Sequence, residues 1–151
     1  MDIVQNSHLL SEFFEQHLPI TEFMGLRVEQ YDGEQLILHA PLEPNINDKA
    51  TAFGGSLYNA AVMACWGMLY LKVQSRGIRC NQVVAEGQIK YKAPVHGPIR
   101  AICKAPSQEA LEKLFATFGA NGKASLHLTA SIECSGRIAV EFEGKYAILA
   151  L

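Results

Sequence analysis

From Gly55 to about Arg76 the chain runs through alanine, methionine, leucine, tryptophan and tyrosine on nearly every side of a helical projection. The run is too long for a strand and lacks the polar face of a surface helix, so the rest of the protein must surround it. At 1.5 Å per residue, some 21 residues span roughly 32 Å, the width of a small domain. Gly77 is a natural stop. The longest strictly apolar stretch inside it, Ala60 to Leu71, holds 12 residues, short of the roughly 18 that suggest a membrane span.

The flanking sequence supplies the wrapping. Leu10, Phe13, Phe14 and Leu18 recur at helical spacing over 7–18, and Pro19 ends that run. Leu26 to Tyr31 and Gln35 to Leu42 read as strands joined by a tight turn at Asp32-Gly33. After Gly77 the period changes to two: Val83, Ala85, Gly87, Ile89 and Tyr91 are assigned to one face, Glu86, Gln88, Lys90 and Lys92 to the other. Ile99, Ala101 and Cys103 continue the alternation. Ser107 caps a short helix bearing Leu111, Leu114, Phe115 and Phe118, with Gly119 behind it. Leu126 to Ile132 and Ile138 to Phe142 alternate again. About six half-solvated strands imply an antiparallel sheet, and curving that sheet around the apolar helix is the economical way to hide it. The expected class is α+β, one domain over residues 1–151, a length that buries a core without staples.

Composition narrows the function. Of 151 residues, 19% are charged and the formal net charge is −2, which argues against a nucleic-acid binder. Cys65, Cys80, Cys103 and Cys134 form no CxxC pair, so no zinc or redox motif is written and a metal-free, reduced protein is expected. The start, Met1-Asp2-Ile3, carries no basic or apolar signal region, and a cytoplasmic protein without membrane attachment is expected. Charge is unevenly distributed, however. Through Asp48 there are nine acids against one base, Arg27, whereas Lys72 to Lys104 holds seven bases against Glu86 alone. That local excess is either an ordinary solvated face or a docking patch for an acidic or phosphorylated partner.

The segment Asn45-Ile46-Asn47-Asp48-Lys49-Ala50-Thr51-Ala52-Phe53-Gly54-Gly55-Ser56-Leu57, with Leu42-Glu43-Pro44 before it and Cys65-Trp66-Gly67 in the helix, carries a resemblance. It is similar to the catalytic loop and helix start of a hot-dog domain found in proteobacteria alone or behind an acetyltransferase domain. That domain was long labelled a thioesterase and is described as malonyl-acyl-carrier-protein decarboxylase. The resemblance covers essentially the whole chain. It implies a curved sheet of about six strands around a long central helix, and a homodimer or higher homo-oligomer. It also implies production of acetyl-acyl-carrier-protein for the initiation of fatty-acid synthesis. No cofactor is implied beyond the phosphopantetheine that the substrate carries, and the partner is an acyl carrier protein or coenzyme A thioester. Compared with phenylacetyl-thioester-type hot-dog thioesterases, Asn47 keeps the loop asparagine. Ala50 replaces a glycine, Phe53 replaces a histidine, and the position of the catalytic carboxylate falls on Val62.

The residues fit that departure. No Asp or Glu occurs from Lys49 through Ala85, so the central helix offers no acid to activate water. Gly54, Gly55 and Ser56 place free N–H groups and the positive end of a helix dipole where a thioester carbonyl can sit. Decarboxylation requires donors aimed at the developing enolate oxygen and an apolar surround, and it requires no base. The resemblance makes Asn45 the catalytic candidate, donating a hydrogen bond to the malonyl thioester. Asn47, Phe53 and Asn59 are expected pocket residues. From the residues alone, either loop asparagine could instead hold an Asx turn. Arg76, Lys90, Lys92 and Arg100 are the candidates for carrier-protein docking. Two alternatives remain: a thioester hydrolase using Asp48 as base, and a non-catalytic binder of acyl carrier protein. Tyr58, Trp66 and Tyr70 read as core or dimer packing.

Overall fold

The computed structural model describes residues 3–151, with side chains described from residue 6 onward. Met1 and Asp2, on which the expected absence of a signal region partly turns, lie outside the described residues. The elements are α1 (Ile3–His17), α2 (Pro19–Met24), β1 (Arg27–Tyr31), β2 (Gln35–Ala40), a single 3-10 turn at Glu43–Asn45, α3 (Gly54–Ser75), β3 (Asn81–Tyr91), β4 (Ile99–Lys104), α4 (Gln108–Asn121), β5 (Lys123–Cys134) and β6 (Arg137–Leu149). The six strands form one antiparallel sheet in the order β1-β2-β4-β5-β6-β3. Its inner face wraps α3, whose Leu57, Ala60, Ala61, Ala64, Cys65, Met68, Leu69 and Leu71 are all buried. The alanines let the sheet approach, while each enclosed Leu or Met contributes about 1.5–3 kcal/mol. No helix among the described residues is long and apolar enough to cross a membrane.

Three details depart from the expected pattern. Pro19 does not only end α1. It sits in the first turn of α2, where its fixed φ suits a helix start. The stop of α4 is Gly122, in the left-handed region at φ 72°, rather than Gly119, which lies inside the helix. Strand β3 is not uniformly alternating, because a bulge lies between Val84 and Glu86. Cross-strand partners share a face: Gln82 and Val84 pair with the buried Ile148 and Tyr146, and Gly87 and Ile89 pair with Gly144 and the buried Phe142. The extra residue therefore turns Val83 away from the face that Gly87, Ile89 and Tyr91 share.

The turn after β1 forms as its sequence requires. Asp32 Oδ1 accepts from the N–H groups of Glu34 and Gln35 at 2.9 and 2.8 Å. Between β2 and α3 the chain closes a small loop, with Asn47 N–H on Thr51 O, Ile46 bridged to Ala52, and Ala52 N–H on Val95 O. That loop delivers the chain to the start of α3.

Candidate active site at the start of helix α3

The first turn of α3 has no side-chain cap; Phe53 occupies the N-cap position. Leu57 N–H takes Phe53 O and Phe53 N–H takes Asn45 O. The N–H groups of Gly54, Gly55 and Ser56 have no acceptor among the described residues. Three donors thus emerge at the positive end of a 22-residue helix. Aromatic rings flank them. The Phe53 ring folds over Gly55, where a Cβ would sit 2.5 Å from a ring carbon, so glycine is required for this approach. The Tyr91 hydroxyl, arriving from the end of β3, donates to Gly54 O at 2.9 Å. Burial, with a smaller contribution from nearby Tyr58, pushes the Tyr91 phenol above its ordinary range.

Asn45 is 2% exposed. Its Nδ2 donates to Met24 O and to Pro41 O, both at 2.8 Å, while its Oδ1 is buried without a partner. Rotating the amide would set Oδ1 against two carbonyl oxygens, so the hydrogen bonds fix its orientation. Both amide hydrogens that were expected to meet a thioester are held by backbone, and the atom left over is an acceptor. Asn47 ties its own loop, donating to Thr51 Oγ1 at 2.9 Å and accepting from the N–H groups of Lys49 and Thr51. Asn59 donates to Met24 Sδ at 3.0 Å, so it shares Met24 with Asn45 and underlies the loop.

Asp48, the loop carboxylate put forward as a base, has a side chain 81% exposed and pairs with Lys49 at 3.1 Å. Ala50, which stands where the thioesterase pattern has glycine, adopts φ 61°.

The basic candidates do not form one patch. Arg76 lies at the opposite end of α3, about 33 Å from Gly54, paired with Glu112 and stacked over the Phe115 ring at 4.7 Å. Lys92 pairs with Glu141 at 3.0 Å, and Arg100 forks onto Glu29. Lys90 has no ion pair among the described residues. It lines a trough of about 460 Å³ on the outer sheet face with Lys104, Glu141 and Glu143, facing away from α3. Acids distant in sequence fold back onto this basic stretch and pair three of its seven bases, Arg76, Lys92 and Arg100.

Two residues near the helix start were read in the sequence only as packing or strand-face residues. Tyr58 is one turn beyond Gly54, a spacing that signals a shared face. Tyr91 gave no such signal, because only the closing of β3 against α3 brings it to Gly54.

A curved antiparallel sheet wrapped around a buried helix, with uncapped donors at that helix's start, defines a hot-dog-fold protein. The family model described as "Putative thioesterase (yiiD_Cterm)" matches residues 7–150, and the chain belongs to this family. A protein of unknown function from Chlorobaculum tepidum TLS is 57% identical, over 98% of this chain and 96% of that one, at a TM-score of 0.97. A "putative thioesterase" from Shewanella oneidensis is 27% identical, over 97% and 99%, at 0.85. A "probable thioesterase" from Pseudomonas aeruginosa, 20% identical over 95% of each chain at 0.73, shares the fold.

Proposed function

We propose that this protein decarboxylates a malonyl thioester, turning malonyl-acyl-carrier-protein into its acetyl form to prime fatty-acid synthesis. The observation that carries the reading is a helix start whose first three N–H groups have no acceptor among the described residues, flanked by the Phe53 and Tyr91 rings. The thioester oxygen lies on the N–H groups of Gly54, Gly55 and Ser56. The bond between the methylene and the carboxylate breaks, CO₂ leaves, and the electron pair passes to the thioester oxygen as an enolate. The donors and the helix dipole stabilise that charge, and Phe53 and Tyr91, exposed in the single chain, shield the departing carboxylate once the proposed dimer covers them. The methylene carbon then takes one proton from solvent, giving the acetyl thioester. No cofactor is needed beyond the phosphopantetheine of the substrate. Asn45 acts by positioning: it clamps α2 and the residue-41 corner to the loop that sets Phe53 at the N-cap.

The whole chain acts as one domain and as a cytoplasmic homodimer. Support for the dimer comes from β3, an 11-residue edge strand paired on one side only. Such an edge invites a second chain, and Phe53, Val83, Val84 and Tyr91 are exposed beside it. Of the docking candidates, Lys90 is the one left available to an acidic carrier.

Hydrolysis of an acyl thioester is the second reading, favoured by the family description and by the name of the Shewanella protein. Incubation with malonyl-carrier-protein and mass analysis of products separates the two. Acetyl-carrier-protein is expected, with full activity kept in Asp48→Ala. Free carrier protein with malonate, abolished by Asp48→Ala, would establish the hydrolase instead.

A further inference from the structure

The first turn of α3 opens on a Gly-Gly step without a side-chain cap. Two glycines leave the backbone free to rotate, so the direction of each N–H there is set from outside the helix. Three contacts do this. Asn45 O takes the Phe53 N–H at 2.7 Å, and Asn45 itself is 2% exposed with an Oδ1 buried without a partner. An unused acceptor thus stands one hydrogen bond away from the unused donors. The Phe53 ring covers Gly55. The third contact is Tyr91, whose hydroxyl donates to Gly54 O at 2.9 Å. Its ring lies alongside Gly54, 3.6 Å from where a Cβ would stand.

Tyr91 is the last residue of β3 and arrives on a stiff support. It pairs with the fully buried Val140 of β6, and the next two N–H groups, of Lys92 and Ala93, both go to Ala139 O at 2.7 and 3.1 Å. Gly54 C=O and Gly55 N–H belong to one planar trans peptide unit and point in opposite directions. Fixing the carbonyl therefore fixes the N–H.

We propose that Tyr91 is a positioning residue: by holding Gly54 O it aims the Gly55 N–H at the oxygen that becomes negative during the reaction. This rests on the reading that the thioester oxygen lies on the first N–H groups of α3, and not on which bond then breaks. An enolate from decarboxylation and a tetrahedral oxyanion from hydrolysis both place charge on that oxygen. Both need a donor fixed before the charge appears. The hydroxyl acts through the peptide and touches neither substrate nor leaving group. Because its bond is exposed, water competes for both ends and the bond adds little to folding. Burial holds the phenol above its ordinary range, so it stays a donor through neutral and mildly alkaline pH.

Tyr91→Phe removes only the hydroxyl. It is expected to lower kcat for malonyl-carrier-protein about tenfold, a fraction of the roughly 10²–10³ lost when an oxyanion donor is deleted. KM and the urea midpoint should stay close to those of the unaltered protein, and the loss should be equal from about pH 6 to 9, where the phenol does not titrate. Gly54→Ala places a Cβ at ordinary contact distance from the Tyr91 ring and removes backbone freedom at the same peptide. Added to Tyr91→Phe, it is expected to restore several-fold of the lost kcat. The amide nitrogen shift of Gly55 in an NMR spectrum, which reports the hydrogen bond at the preceding carbonyl, is expected to move in Tyr91→Phe. An unchanged kcat, or a loss carried by KM or by stability instead, overturns the proposal. So does an unmoved Gly55 resonance, which is read whether or not any thioester turns over. Product analysis of the unaltered protein keeps the two readings apart. Malonate with free carrier protein removes the decarboxylase and leaves the Tyr91 test as it stands, whereas acetyl-carrier-protein with full kcat in Tyr91→Phe removes Tyr91 alone.

Discussion

Asn45 directs both amide hydrogens to backbone carbonyls, at Met24 and Pro41, and this decides how its loss will register. Asn45→Ala leaves the buried Met24 carbonyl oxygen and the part-buried Pro41 carbonyl oxygen unpaired, at about 1–3 kcal/mol for a fully buried group. The variant is expected to lose roughly 2–4 kcal/mol in urea unfolding as well as malonyl turnover. Asn45→Asp keeps the volume but turns an acceptor toward those carbonyls, so it fails on both counts. A donor used on substrate alone would lower kcat with no loss of stability. Ala50 behaves in the opposite sense. At φ 61° it pays about 1–2 kcal/mol for a left-handed conformation, partly offset by the lower unfolded-state entropy of Ala relative to Gly. Ala50→Gly is therefore expected to stabilise the protein by roughly 0.5–1 kcal/mol, read as a higher urea midpoint. Both asparagines of the loop were visible in the sequence, and so was the replacement of glycine by Ala50. Which atoms of Asn45 are free was not visible, because its partners lie 4 and 21 residues away.

At the scale of elements, period and punctuation were readable wherever contacts are local. The Asp32 turn, the Ser107 cap on Ala110 N–H and the all-round apolar α3 each depend on residues within a few positions. The bulge in β3 does not, since it is set by pairing with β6, and it moved Val83 to the other face. The pairing of Arg100 with Glu29 is similarly remote, joining β4 to β1 across β2. The Arg100 guanidinium hydrogen-bonds the Glu29 carboxyl and holds it below its usual range. Because the folded value is depressed, the pair stabilises the protein above the ordinary carboxylate range near pH 4. That contribution is lost as the pH falls through the lower folded value. Both side chains are partly exposed, so the effect is at most about 1 kcal/mol. Arg100→Met should lower the urea midpoint slightly at pH 7 and converge with the unaltered protein at pH 2–3.

The molecule as a whole carries its length of unpaired edge at β3, beside the proposed site. Sedimentation equilibrium is expected to give twice the 16.6 kDa chain mass, and a monomer at micromolar concentration would remove the proposed pairing at that edge. The whole-molecule scale also changes how the charge pattern reads. In sequence, acids and bases fall into separate blocks; in space, Glu29, Glu112 and Glu141 return to Arg100, Arg76 and Lys92. The sequence by itself determined that a helix apolar on every side must be enclosed by an antiparallel sheet, and that no carboxylate lies on that helix. Hydrophobic periodicity and composition are properties of neighbouring residues, so they survive without coordinates. Only the tertiary structure decided which donors at the helix start are free, which cations are paired and that Tyr91 closes onto Gly54. Each of these is a contact between distant segments, and its geometry exists only once the chain has closed on itself.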